Sequence, residues 1–189
     1  GRRFDVFTLD TGRHFPETLE TLDASNLRYG PLIRIVFPEA KDVEALVARD
    51  GIMGFRQSIE ARKACCHVRK VLPLNKALDG AKGWITGLRR DQSAGRAHVP
   101  FAAWDKEHRL IKLNPIADWS LDTLEAYIEA NGVPVNALHA RGFPSIGCQP
   151  CTRAVAPGED IRAGRWWWEN EDGKECGLHN RPKRKEAHA

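Results

Sequence analysis

Phe4-Asp5-Val6-Phe7-Thr8-Leu9, followed by Asp10-Thr11-Gly12, sets the architecture of the chain. The first six residues are apolar and alternating enough for a strand, and the last three are a turn signal. The same strand-then-break pattern recurs downstream. Leu32-Ile33-Arg34-Ile35-Val36-Phe37 is stopped by Pro38, Gly83-Trp84-Ile85-Thr86-Gly87 ends in glycine, and Leu110 to Leu113 is a fourth candidate. Helix-forming segments lie between them: Pro16 to Leu22, with Glu17 and Glu20 near its start, Lys41 to Arg49, and Ser58 to Val71. Ser120 is placed to cap a further helix reaching Asn131, with Leu121, Leu124, Tyr127 and Ile128 on its apolar face. Strand alternating with helix predicts an α/β fold, a Rossmann-like parallel sheet with helices on both faces. Ligands of such sheets bind beyond the C-terminal strand ends, where Asp10-Thr11-Gly12 and Gly87-Leu88-Arg89-Arg90 both fall.

A parallel sheet that opens directly on a strand with so loaded a turn leads us to expect a preceding strand–helix unit absent from this chain. At the other end the composition changes near residue 142. Gly, Pro, Cys and Arg rise and β-branched residues fall, which reads as a loop-rich lobe of the same domain. Charged residues at 29% and hydrophobic residues at 42% are those of an ordinary globular protein. No apolar run approaches the roughly 18 residues of a membrane helix. Gly1-Arg2-Arg3-Phe4 lacks the apolar core of a signal peptide, so the cytoplasm is the expected compartment. The net charge of +4 is concentrated in the tail from Arg181 to Lys185. Without aromatic RNA-binding motifs nearby, that tail reads as a solvated run.

Five cysteines, an odd number without a signal peptide, argue against a disulfide framework. Cys148-Gln149-Pro150-Cys151 has the spacing that lets two sulfurs reach one metal centre. Cys65 and Cys66 are adjacent, and neighbouring helical side chains diverge by about 100°. Both can face one centre only if the helix is distorted or the centre is large. That favours a four-cysteine iron–sulfur cluster over structural zinc or a Cys148–Cys151 redox disulfide. Lys70, four residues after Cys66, falls on the same side of a helix and could neutralise thiolates, or be simply solvated. Cys176 stands apart in Glu175-Cys176-Gly177-Leu178-His179 and is either a reactive thiol, with His179 lowering its pKa, or an idle surface one. Arg162 and Arg165 adjoin Trp166, Trp167 and Trp168, and arginines so placed hold phosphate or sulfate bidentately. Arg89, Arg90 and Arg96 form a second cationic group.

Taken together, Cys65-Cys66 with Lys70, Gly87-Leu88-Arg89-Arg90-Asp91-Gln92-Ser93, Cys148-x-x-Cys151, Arg162-x-x-Arg165-Trp166 and Glu175-Cys176-Gly177-Leu178-His179 resemble the bacterial assimilatory adenylyl-sulfate reductases. The likeness runs from about Phe4 to about His179. It implies an adenine nucleotide alpha hydrolase-like fold. Residues 1–141 would form a nucleotide-binding core, N-terminally incomplete because the family's Ser-Gly-Gly-x-Asp-Ser phosphate loop is missing. Residues 142–189 would form the cluster-binding and catalytic segment. It also implies one [4Fe–4S] cluster on Cys65, Cys66, Cys148 and Cys151, and Cys176 as nucleophile. Lys70, Arg162, Arg165 and His179 would surround the phosphosulfate, and Leu9, Thr11, Gly87, Arg89, Arg96 and Trp166 would contact substrate. The expected activity is reduction of adenosine 5′-phosphosulfate to sulfite with thioredoxin, in sulfate assimilation, by a cytoplasmic homo-oligomer without nucleic acid or membrane. A phosphoadenylyl-sulfate reductase is the near rival, and a metal-stabilised nucleic-acid-binding module the rival of another class.

Overall fold

The computed structural model describes residues 4–169 and 176–178. Strands β1 (Val6–Leu9) and β2 (Ile33–Val36) pair in parallel, with Val6 against Ile33 and Leu9 against Val36. The crossover between them is α1 (Pro16–Tyr29), whose proline sits where a helix has no use for an N–H. The expected helix ended at Leu22, but nothing breaks the chain before Gly30, at φ 86°. Thr21 and Ser25 remain compatible with the helix because their hydroxyls donate back to Glu17 O and Thr21 O. After β2 comes α2 (Ala40–Asp50), closed by Gly51.

A second sheet holds β3 (Gly83–Ile85), β4 (Ala102–Asp105) and β5 (Leu110–Leu113) in the order β3-β5-β4. β3 and β5 are parallel, as expected, whereas β4 is antiparallel to β5. Sequence reading missed β4, because Ala102-Ala103-Trp104-Asp105 has weak strand propensity. Its formation depends on the hairpin turn, in which Asp105 Oδ1 accepts from the backbone N–H groups of Glu107 and His108.

Two cores organise the molecule. One joins Leu74 and Leu78 to Trp84 of β3 and Leu110 of β5, with Phe7, Leu9 and Leu178 packed against it. Leu74 and Leu78 belong to α4 (Leu72–Leu78), which therefore lies against both sheets. Leu74 is 3% exposed, and truncating such a leucine to alanine costs roughly 2–5 kcal/mol. The other core consists of Phe55, Cys66, Cys148, Cys151 and Trp166, with Cys65, Trp168 and Cys176 against it.

The last helix, α5 (Leu121–Asn131), begins as the sequence requires. Ser120 Oγ accepts from Thr123 N at 3.1 Å, and Gly132, at φ 55°, ends it. Its apolar face is not buried, however: Leu121 and Tyr127 are about half exposed. Beyond it the described chain is loop, broken by short turns at His139–Arg141 and Gln149–Cys151 and a single bridge between Thr152 and Arg165. Among the described residues no helix is long and apolar enough to cross a membrane.

Candidate active site

The cysteine pair ends α3 (Ile59–Cys66), whose first turn is capped by Ser58 Oγ accepting from Ala61 N. The next five residues, His67–Val71, wind as a π-helix before α4 continues to Leu78. Sequence reading ends this helix at Val71 and lets both cysteines face one centre only if the helix is distorted or the centre is large. The distortion falls immediately after Cys66. Pro73 gives it a cause, since a proline ring clashes with the carbonyl four residues back, and a wider turn ahead of it relieves that clash. As a consequence Arg69, Lys70 and Val71 are buried in succession.

The second cysteine pair sits on a tight turn. Cys151 N donates to Cys148 O at 2.9 Å, and Thr152 Oγ1 donates to the same oxygen. Two neighbours hold this turn in place. On one side, Arg153 N donates to Gly164 O and Trp166 N to Cys151 O, so Trp166 is stitched to the cysteine knuckle. On the other, the loop after β1 docks: Gln149 N donates to Arg13 O at 2.8 Å, and Thr11 Oγ1 lies 3.3 Å from Cys148 Sγ. Arg69 Nη1 donates to Thr11 O at 2.7 Å, closing the circle from helix to loop to knuckle.

Cys65, Cys66, Cys148 and Cys151 line one cavity together with Phe55, Trp166 and four cations: Arg13, Arg62, Arg69 and Lys70. All four cysteines are free, as is Cys176, which folds back half-buried against the same thiol core. Gly177 follows it at φ 87°, close to Val71, and so lies against the π-helical stretch. Among the described residues no group of three or more His, Cys, Asp or Glu side chains forms a metal-ion site.

Burial dominates the thiol chemistry. It pushes Cys66 up to about 11 and Cys151 up to about 12, with neighbouring sulfurs adding to the rise and Lys70 opposing it. Cys65 is raised as well, by burial first, against the pull of Arg13 and Arg69. For Lys70 burial works against the charge, but the Cys148, Cys176 and Cys66 sulfurs outweigh it and hold the ammonium above the usual lysine value. Lys70 is therefore a buried cation surrounded by sulfur, not a solvated lysine.

The other residues singled out from sequence fall in different places. Trp166 is 1% exposed, and Arg165, also buried, stacks over its ring at 4.7 Å. Arg162 is half-buried one turn earlier and its carbonyl accepts from Arg165 N. Leu9 ends β1 and its carbonyl meets His14 Nε2 at 2.9 Å. Thr11 turns its hydroxyl toward Cys148 and Arg13 N. Gly87 is exposed beyond β3. Arg89 is buried, with Nη1 donating to Ser120 O and Nη2 beside Asp91, and Arg96 Nη1 donates to Gln92 Oε1. Arg89 thus ties the loop after β3 to the start of α5, while Arg96 bonds within that loop. His179 lies outside the described residues. Sequence reading missed Arg13, Phe55, Arg62 and Arg69. Arg62 could have been found from its spacing, since it precedes Cys65 and Cys66 by three and four residues and so shares their helix face.

These features define an α/β protein of the adenine nucleotide alpha hydrolase-like kind whose buried centre is built of thiols. The family model for the phosphoadenosine phosphosulfate reductase domain matches residues 2–154, and the chain belongs to that family. It is 57% identical over 175 residues to an adenosine 5′-phosphosulfate reductase from Agrobacterium fabrum, covering 93% of this chain and 67% of that one. A Rhizobium meliloti protein of the same name is 58% identical over 175 residues, covering 93% and 66%. The chain thus spans about two thirds of the length of these relatives. Among solved structures it resembles a phosphoadenylyl-sulfate reductase from Candida auris in complex with phosphate. The TM-score is 0.66 at 26% identity, covering 82% of this chain and 73% of that one.

Proposed function

We propose that this chain reduces adenosine 5′-phosphosulfate to sulfite and AMP in sulfate assimilation, with Cys176 as the nucleophile. The observation that carries the reading is the return of Cys176 onto the thiol core, beside the buried Lys70 ammonium. A nucleophile that must approach a doubly anionic phosphosulfate needs such a fixed cation. The unphosphorylated substrate is favoured over the 3′-phosphorylated one because relatives named for it share 57% and 58% identity, against 26% for the Candida auris enzyme. The nucleic-acid-binding alternative leaves Cys176 and Lys70 without a role.

The reaction balances with one external dithiol. Cys176 thiolate attacks the sulfur of the substrate, the bond from sulfur to the bridging phosphate oxygen breaks, and AMP departs with the electron pair. A thiolate of the reductant then attacks Cys176 Sγ, sulfite leaves with the S–S electron pair, and a mixed disulfide remains. The second thiol of the reductant attacks its own sulfur in that disulfide, so the reductant is oxidised by two electrons and Cys176 returns as thiol. A thioredoxin-type protein fits this role. Lys70, Arg165 and Arg162 offset the charge of thiolate and phosphosulfate, and Trp166 excludes water.

Cys65, Cys66, Cys148 and Cys151 fit a cysteine-ligated [4Fe–4S] cluster. Four free thiols line one cavity, and the cations Arg13, Arg69 and Lys70 line it too, as a negatively charged thiolate cage requires. The divergence of the adjacent pair suits a centre wider than one ion. When bound, the cluster would supply a fixed charge that orients Lys70 toward substrate. Residues 142–189 would then be the catalytic segment of a single domain with 1–141, working in the cytoplasm as a homo-oligomer.

Substituting Cys176→Ser tests the reading. Sulfite release from adenosine 5′-phosphosulfate should vanish while iron content and absorbance match the parent. Undiminished turnover in that variant, or a parent active only on the 3′-phosphorylated substrate, would refute it.

A further inference from the structure

Helix α3 and the segment leading to Cys176 are joined by a buried ion pair that the reaction scheme does not use. Arg62 Nε donates to Glu169 Oε1 at 2.6 Å and Nη2 donates to Oε2 at 3.0 Å, with 2% and 3% of the two side chains exposed. The same guanidinium stacks on Trp166, 4.5 Å from the ring centre, while Arg165 stacks on that ring at 4.7 Å. Trp166 itself adopts φ 46°, a backbone conformation that costs a bulky residue of order 1–3 kcal/mol and persists only where its surroundings dictate it. Glu169 N donates to Trp166 O, so the carboxylate and the strained tryptophan form one unit.

The location gives the pair its meaning. Arg62 lies three and four residues before Cys65 and Cys66, and Glu169 lies seven before Cys176. Seven extended residues reach at most about 24 Å, so the point at which Glu169 is fixed limits where Cys176 can go. A bidentate arginine–carboxylate pair fixes register and direction, whereas apolar contact alone does not. Replacing a buried ion pair by apolar residues of similar volume is often neutral or stabilising, so stability alone is a weak reason for an ion pair at this position.

We infer that Arg62 and Glu169 are positioning residues that tether the Cys176 segment to the helix carrying Cys65 and Cys66. The pair holds the nucleophile in attacking position over the thiol centre. This rests on Cys176 being the nucleophile, and it deepens that reading by naming what sets the position of the thiol.

The test uses the whole chain and two readouts. Arg62→Met with Glu169→Leu keeps the packing and removes the directed bond. The double variant should match the parent in melting temperature. Its Cys176 should be alkylated by iodoacetamide roughly tenfold faster, as peptide mapping would show. Its kcat for sulfite release should fall by roughly tenfold to a hundredfold, with KM held within about twofold. Parent-like alkylation and kcat in a folded double variant would overturn the inference, since a purely structural pair recovers function with stability. Glu169→Gln provides the second variant, assayed well below its own melting midpoint. There too Cys176 must be more reactive than in the parent, and equal reactivity overturns the proposal. Because alkylation needs no substrate, failure of the tether is separable from failure of the reductase reading, in which the parent releases no sulfite.

Discussion

Gly164→Ala should damage the site through the backbone. A Cβ at this position would stand 2.2 Å from Arg153 O and 3.2 Å from Val155 Cγ1. The first contact is with a main-chain oxygen that cannot rotate away, so the two strands of chain must separate by about 1 Å to restore ordinary contact. That separation strains Arg153 N to Gly164 O, now 3.0 Å, and Trp166 N to Cys151 O, now 3.1 Å. Two hydrogen bonds at roughly 0.5–1.5 kcal/mol each give about 1–3 kcal/mol. Overpacking adds a further 1–3 kcal/mol or so, for about 2–6 kcal/mol in all. Urea unfolding of the parent and variant, followed by tryptophan fluorescence, measures it through the midpoint at constant slope. The displaced Trp166 should also leave the cysteine knuckle less protected from alkylation. A variant with the parental midpoint would mean that the bridge between Thr152 and Arg165 does not fix this lobe.

Gly147→Ala should spare stability more than function. Its Cβ meets the Arg165 guanidinium at 2.2 Å, a side-chain end that can swing away at the cost of its place over Trp166. Sulfite release should drop at least as far as one lost electrostatic contact allows, roughly a hundredfold, while the urea midpoint moves little. Thr11→Val should leave the fold intact and change the cysteine centre. Removing the hydroxyl 3.3 Å from Cys148 Sγ withdraws a donor to the thiolate and should slow alkylation of Cys148 in metal-free protein. The exposed Arg153–Glu159 pair gives a pH signature. Hydrogen bonds from Arg153 and from Ala156 N hold the Glu159 carboxyl at about 2, below the 4.5 of an ordinary glutamate. Because the folded pKa is the lower one, the contribution of the pair is present above pH 4.5 and is lost as pH falls toward 2. NMR titration should find that carboxyl ionised at pH 3, and Arg153→Ala should return it toward ordinary values.

The parts of this architecture legible in sequence are those set by local chemistry. Leu110–Leu113 was bounded correctly because a β-branched residue between leucines has few alternatives, and α5 because Ser120 and Gly132 cap it. The cysteine spacing points to one lined cavity, which all four thiols share, and a distorted helix, one of the two ways the adjacent pair could face a single centre, is present as the π-helical turn before Pro73. What escaped notice depends on tertiary context. β4 forms through its hairpin partner rather than its own propensity. Sequence shows the charges of Arg89 and Arg96 without their direction, and only the fold aims Arg89 at Ser120 O and Arg96 at Gln92. Arg62 and Glu169 lie 107 residues apart, beyond any periodicity.

The proposed activity stands or falls with transfer of the sulfonyl group from substrate to Cys176. Parent protein should be mixed with adenosine 5′-phosphosulfate in the absence of any thiol reductant, digested without reduction, and mapped by mass spectrometry. One SO3 adduct per chain is expected, carried on Cys176 and released as sulfite when reduced thioredoxin is added. An adduct on another cysteine, or AMP formed with Cys176 unmodified, would contradict it.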